Sequence, residues 1–434
     1  MLNSVILSLG LLLPAADPAA TDDLIVFHDR GAWCWFQDER VIVDRGRLLL
    51  GVVAGGPKGD ARCGNIELGI YDFAAGKSSV VELHPALEQD DHDAPALLVR
   101  SDGRYLAVYT KHAADNLIRY RISTHPGDPS SWQPERTFAR PGARVTYSNL
   151  FRLANENGGK GRIYDFYRGE NWNPNFLVSD DDGETWVYGG RLILHKGRPY
   201  VKYAGNGLDE IHFVFGEGHP NEFAPGTSLY HAYYKNGSLY RSDGTPIGKL
   251  SDGPITPDQA TKIFAGDPAN MAWACDLHLD QNGRPFLAYS VTKDREGSDH
   301  RYRYARWDGN RWQDHEIALA GSRLYAAEVH YTGNVSLNPQ NPDELYISTN
   351  VDPTGGQPLL SNVDGRRHWE IFQGFTHDSG ATWTWKPVTA NSTADNLRPI
   401  VPIGDPRHTP LLWLRGSYAT FNSWNLQVVG RMMR

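Results

Sequence analysis

Four side chains in the first half of the chain stand out by type and spacing: His92 and His112, then Tyr147 and Arg168. Imidazole and phenol groups move protons when their surroundings tune them. A guanidinium pairs with a carboxylate through parallel N–H bonds. Abstracting a proton next to a uronate carboxylate needs such a set: a base, and a cation that neutralises the carboxylate as the enolate forms. Arg168 is the best-placed cation. Tyr147 and the two histidines are the candidate bases.

Such groups act only if the chain gathers them, and hairpins do this. Residues 96–99 and 105–109 are β-prone runs joined at Asp102-Gly103, a dipeptide suited to the positive φ of a tight turn. A hairpin folds back on itself, so His92 before it and His112 after it share one sheet edge. Tyr147 and Arg168 bracket a second hairpin in the same way, around a loop at 154–160. Further hairpins start near Trp35, Tyr200, Trp273, His330 and Asp395. Seven units of roughly 50–60 residues, each with room for four strands, predict an all-β, single-domain, seven-bladed β-propeller spanning 23–434. The tail at 424–430 and the early run at 23–27 are both strand-like, and sharing a closing blade would remove exposed edges. The longer step after Tyr200 is assigned to a short inserted helix at 256–264.

In a propeller the first strand of each blade lines the central channel, so unit starts and return ends converge on one face. Tyr167, Arg198, Lys202, His219, His330 and Arg398 are expected there as substrate-binding groups. Arg and Lys suit a carboxylate, and Tyr and Trp stack on sugar rings. Asp165 and Glu170 are the acids that could instead neutralise Arg168. A hydrolase would need two carboxyl groups, for which Asp38, Glu217 and Glu328 are the candidates. A non-catalytic carbohydrate-binding propeller is the third reading.

The composition agrees with a β-rich globular protein: 40% hydrophobic and 22% charged residues, with 13 Trp and 21 Tyr. A formal charge of −8 argues against nucleic acid as a partner, while a local basic cluster can still bind an acidic substrate. The run from Val5 to Leu13 is too short to span a bilayer. With the small residues after it, it reads as a signal peptide over 1–20, predicting a secreted or periplasmic monomer without membrane partners. Three cysteines make no disulfide framework; Cys34 with Cys63 is one pairing, free thiols the other.

Several stretches resemble the BNR-repeat propellers that include ulvan lyases: WCWFQDER (33–40), DDHDAPALL (90–98), YTKH (109–112), YSNLFRL (147–153), YRG (167–169), RPYVKY (198–203) and NLRPIVP (396–402). Ser/Thr-x-Asp-x-Gly-x-Thr-Trp occurs at 179–186 and 376–383 and resembles the Asp-box of sialidase-type propellers, a folding device. The resemblance implies a polysaccharide lyase that cleaves at uronic acid residues by β-elimination, with His92 and His112 as the histidine pair, Tyr147 (or else Tyr167) as the tyrosine and Arg168 (or else Arg198 or Lys202) as the neutralising cation. It also implies an acidic polysaccharide substrate, such as one with rhamnose–glucuronate linkages, and no required cofactor. Related lyases can carry a structural zinc, for which Cys275, His278, His219 and His231 are a set of donors. Cys275 and His278, three apart on one strand, point to opposite faces, and no metal site is assigned. The acidic run 88–93 lacks the spacing of a calcium loop.

Overall fold

The hairpins read from the sequence are the inner strand pairs of seven small antiparallel sheets. The computed structural model describes residues 24–57, 59–220, 226–404 and 409–433; the proposed leader at 1–20 lies outside them. Blade 1 runs from Val41–Asp44 to Lys77–His84, blade 2 from Ala96–Val99 to Arg136–Ala139, and blade 3 from Thr146–Leu153 to Val187–Arg191. Blade 4 runs from Val201–Gly205 to Thr261–Phe264, blade 5 from Met271–Leu279 to Trp312–Gly321, and blade 6 from Val335–Leu337 to Thr384–Pro387. Blade 7 takes three strands from the C-terminal segment and its outer strand, Ile25–His28, from the other end of the chain. Ile25 pairs with Gly430 and Val26 with Val429, so the two ends close the ring as expected.

Burial falls from the second strand of a blade outward. Arg47–Val53 is almost wholly buried, whereas Lys77–His84 is mostly exposed. The sequence follows suit, with continuous aliphatic residues in the first and Lys, Ser and Glu in the second.

The segment 256–264 is not a helix. It forms one 3-10 turn at Pro257–Gln259 and then the strand Thr261–Phe264. The extra length of blade 4 is instead a hairpin, Ser238–Arg241 with Pro246–Lys249. That hairpin and Thr261–Phe264 share successive stretches of one edge of Leu229–Lys235. The Asp-boxes sit between the third and fourth strands of blades 3 and 6. In each, the aspartate accepts from the backbone N–H of the box threonine at 2.8 Å, and the glycine N–H donates to the first hydroxyl. Gly183 and Gly380 have φ of +93° and +98°, which a side chain would strain.

The segment 31–40 is also not part of the first strand. It crosses the channel and touches six blades and the segment leading into blade 6. Gly51 N donates to Arg40 O in blade 1, Leu97 N to Glu39 O in blade 2 and Leu150 N to Asp38 O in blade 3. Lys202 of blade 4 binds Trp35 O at 2.7 Å and Asp38 at 2.6 Å. Trp35 donates to Ala274 O of blade 5 and packs edge-on against Tyr331, just ahead of blade 6. Gly31 N reaches Leu426 O of blade 7. Trp35, Phe36, Trp273 and Tyr331 thus fill the axis with aromatic rings. All three cysteines are free thiols, so Cys34 and Cys63 are not bridged.

Candidate active site

His92 lies on the 3-10 turn Asp91–Asp93, just before the first strand of blade 2, and His112 follows its second strand, Tyr105–Thr110. The hairpin brings their rings face to face, 3.8 Å between centroids and 8° from parallel. One carboxylate holds both. Asp90 Oδ1 accepts from His92 Nδ1 at 2.7 Å and Asp90 Oδ2 from His112 Nδ1 at 2.9 Å. This bidentate bridge places the Nδ1 protons and leaves both Nε2 atoms for chemistry. Phe421 packs edge-on against both rings.

The two imidazoles differ in charge. Burial opposes a proton on His92, but the Tyr147 and Cys34 groups beside it, and then the carboxylates of Asp90 and Asp91, outweigh it, and its pKa stands well above the ordinary value. Asp91 Oδ1 is a second acid within 3.0 Å of His92 Nδ1. Burial, and then the charge of His92 stacked against it, lowers His112 to about 4. Burial would raise Asp90, but the two imidazoles hold it well below the carboxylate range. At neutral pH the stack is therefore one imidazolium and one neutral ring.

Tyr147 comes from the first strand of blade 3. Pairing with the neighbouring strand slips between Thr146 and Asn149, and Tyr147 itself is left-handed with φ of 66°. Such a bulge re-aims a side chain, and the strain is costly for a bulky residue. Here it turns the ring to within 5.6 Å of His92. Among the described residues the buried Tyr147 hydroxyl has no hydrogen-bond partner, and burial pushes its pKa well up.

Arg168, at the return end of the same blade, closes the group. Its guanidinium carbon lies 4.9 Å from the Tyr147 ring, and Nη1 donates to Tyr200 Oη at 3.0 Å. Both acids that could have neutralised it are engaged elsewhere: Glu170 pairs with Arg191 at 3.0 Å, and Asp165 accepts from Asn149 N. Among the described residues no carboxylate lies within ion-pair distance of Arg168, although it is only 5% exposed.

The structure thus gathers His92, His112, Tyr147 and Arg168. The expected binding residues scatter more. Tyr167, next to Arg168 on a strand, packs into the apolar cluster between blades 2 and 3. Lys202 is spent on Asp38 in the axial plug. Arg398 is buried beneath the site, pairing with Asp91 at 2.5 Å and donating to Tyr418 Oη, and so fixes the acid beside His92. His330 binds Thr292 and is lowered to about 3 by burial. His219 packs on Trp273 and Tyr200 along the rim, and the Arg198 guanidinium lies 5.9 Å from the Tyr200 ring. Tyr200 and Tyr418 were expected on this face without an assigned role, whereas Asp90 and Asp91 were not singled out from sequence. The acidic run beside His92 was the signal for the two acids.

Cys34 with Asp91 and His92, and Asp90 with His92 and His112, bring metal-type donors within 4.8 Å of one another. In the second group both imidazole Nδ1 atoms already bond to Asp90, and in the first Asp91 Oδ1 lies 3.0 Å from His92 Nδ1. The zinc tetrad is not assembled: Cys275 faces an apolar cluster, and His231 bonds to His212 and Ser242. The carboxyl candidates for hydrolysis lie apart from the histidines. Asp38 pairs with Lys202, Glu217 is held by Ser228 and Tyr230, and Glu328 lies 3.4 Å from His219.

Similar folds are known. A solved ulvan lyase of polysaccharide lyase family PL25, bound to -[GlcA(1-4)Rha3S]-, superposes with a TM-score of 0.67 at 16% identity, over 94% of this chain and 95% of that one. Polysaccharide lyase Uly1 gives 0.56 at 12% identity, over 91% and 89%. No curated protein sequence matches the chain. The model of the BNR repeat-containing family matches residues 61–320, more than half the sequence, and the chain is therefore a member of that family.

Proposed function

We propose that this protein is an exported polysaccharide lyase that cleaves a uronic-acid-containing polysaccharide by β-elimination. The observation that carries this is the buried Arg168 guanidinium, which lacks an acid partner among the described residues and stands beside a buried tyrosine and a stacked histidine pair. A buried cation without a counter-ion is costly, and a substrate carboxylate would supply the missing charge.

The roles follow from the protonation states. His112 is neutral and the more exposed of the two imidazoles, so its Nε2 takes the proton from the carbon next to the uronate carboxylate. Arg168 stabilises the negative charge that develops on that carboxylate. The electron pair then forms the carbon–carbon double bond as the glycosidic carbon–oxygen bond breaks. Tyr147, protonated at neutral pH, delivers its proton to the leaving oxygen. The products are an unsaturated uronate and a new sugar hydroxyl, and proton exchange through solvent resets the pair. The fold shared with an ulvan lyase solved bound to -[GlcA(1-4)Rha3S]- supports a substrate of that class.

The test is the ultraviolet absorbance of an unsaturated uronate, followed on ulvan and a panel of other uronate polymers. A rise is expected with wild-type protein. Its absence on every polymer overturns the lyase reading, and reducing sugar without absorbance points to hydrolysis. His92→Ala, His112→Ala and Tyr147→Phe should each lower the rate by about 10²-fold or more.

A further inference from the structure

Beyond the four central side chains, one exposed aromatic residue stands beside the site on a strained turn. Trp172 ends the 3-10 turn Glu170–Trp172, which links the second and third strands of blade 3 just past Arg168. Asn171 and Trp172 are both left-handed, with φ of 55° and 62°. Asn accepts that conformation readily; a bulky indole does not. The backbone bonds of the turn, Trp172 N to Gly169 O and Asn173 N to Glu170 O, need no tryptophan side chain. The indole is also 41% exposed, the opposite of what burial of a large ring would favour.

Its surroundings point to a ligand. Three rings surround the Arg168 guanidinium carbon: Tyr147 at 4.9 Å, Trp172 at 5.0 Å and Tyr200 at 5.5 Å. Tyr147 and Tyr200 are buried, and only Trp172 also reaches solvent. The Arg198 guanidinium lies 5.6 Å from the same indole. Of the three rings around Arg168, Trp172 is therefore the one that a chain with its carboxylate on Arg168 meets from the solvent side. The C–H face of a pyranose is apolar and complements the electron-rich face of an indole.

We propose that Trp172 is the stacking platform of a subsite for the sugar ring next to the uronate in an acidic polysaccharide. This rests on the reading of Arg168 as the uronate site. The strained turn is what presents the indole there, and its cost is retained because the ring binds substrate.

Calorimetric binding to the Tyr147→Phe protein tests this, with two probes: a glucuronate–rhamnose 3-sulfate tetrasaccharide and free glucuronate. Trp172→Ala in that background should weaken the tetrasaccharide about tenfold, or about 1.4 kcal/mol, and leave glucuronate within about twofold. Trp172→Tyr should restore most of the loss, which separates stacking from damage to the fold. Equal tetrasaccharide affinity with and without Trp172 overturns the subsite and leaves the lyase reading standing. An equal loss for both probes overturns the neighbouring-ring assignment. Failure of the unsubstituted Tyr147→Phe protein to bind either probe overturns both readings. Loss with Trp172→Ala together with no unsaturated product from the wild-type protein keeps the subsite and rejects the lyase.

Discussion

At the scale of single residues, Asp90 decides what two identical side chains can do. It bridges both imidazoles, while Asp91 reaches only His92. Asp90→Asn should therefore lower the His92 pKa, read from imidazole nitrogen shifts, and cut turnover by about tenfold or more. An unchanged His92 titration would show that Asp91 alone holds the charge. A second expectation concerns pH. His112 must be neutral to accept a proton, and its pKa is depressed to about 4. The acid limb of kcat/KM should fall near that value, well below the 6.5 or so of a free imidazole. A limb at the ordinary value would remove His112 as the base. The four central residues were legible from type and spacing, because a hairpin turn can be read locally. Asp90 was visible only as part of an acidic run, since nothing local says which carboxylate meets two rings from different ends of a hairpin.

Among the elements, the blades carry the site by irregularity as much as by regularity. The slipped pairing at Thr146–Asn149 turns Tyr147 toward the histidines, and a comparable slip follows Leu397 in blade 7, where Arg398 is also left-handed. Alternation along a strand explains why Arg168 and Tyr167 part company: neighbours point to opposite faces, so only one can reach the site. The closing blade depends on four residues from the far end of the chain. Phe27 among them is fully buried, edge-on to Tyr71. Phe27→Ala should cost about 3–5 kcal/mol in chemical denaturation. A loss under about 1 kcal/mol would mean that the outer strand adds little to closure. The strand at 261–264 shows the opposite limit of sequence reading. Its Thr-Pro-Asp-Gln opening has a helix start signal, but the exposed edge of Leu229–Lys235 claims the residues after it.

For the whole molecule, stability and chemistry share the axis. The segment 31–40 ties six blades and the lead-in to blade 6 together and lies against the turn that carries His92, with Cys34 N bonded to Asp91 O. The buried histidines predict how the ring responds to acid. Burial holds His212 and His231 below the ordinary value and His330 at about 3. The unfolded chain therefore takes up their protons first, and stability should fall as pH drops from about 6.5 toward about 4. His92 and His278 are raised, so their contribution is already complete below about 6.5 and fades only at higher pH. Scanning calorimetry should show Tm falling across that acid window; a flat Tm would mean that the buried rings are protonated without penalty.

From its sequence alone this protein was committed to seven hairpin-bearing units, to ring closure between its ends, and to a histidine, tyrosine and arginine set on one face, because turns and strand periodicity are local properties. Tertiary structure decided the rest: that 31–40 plugs the channel, that Lys202 and Arg398 spend their charge on Asp38 and Asp91, and that Arg168 has no acid beside it among the described residues. Pairings of charge across separate blades depend on distances between residues far apart in the chain, and only closure of the ring sets those distances.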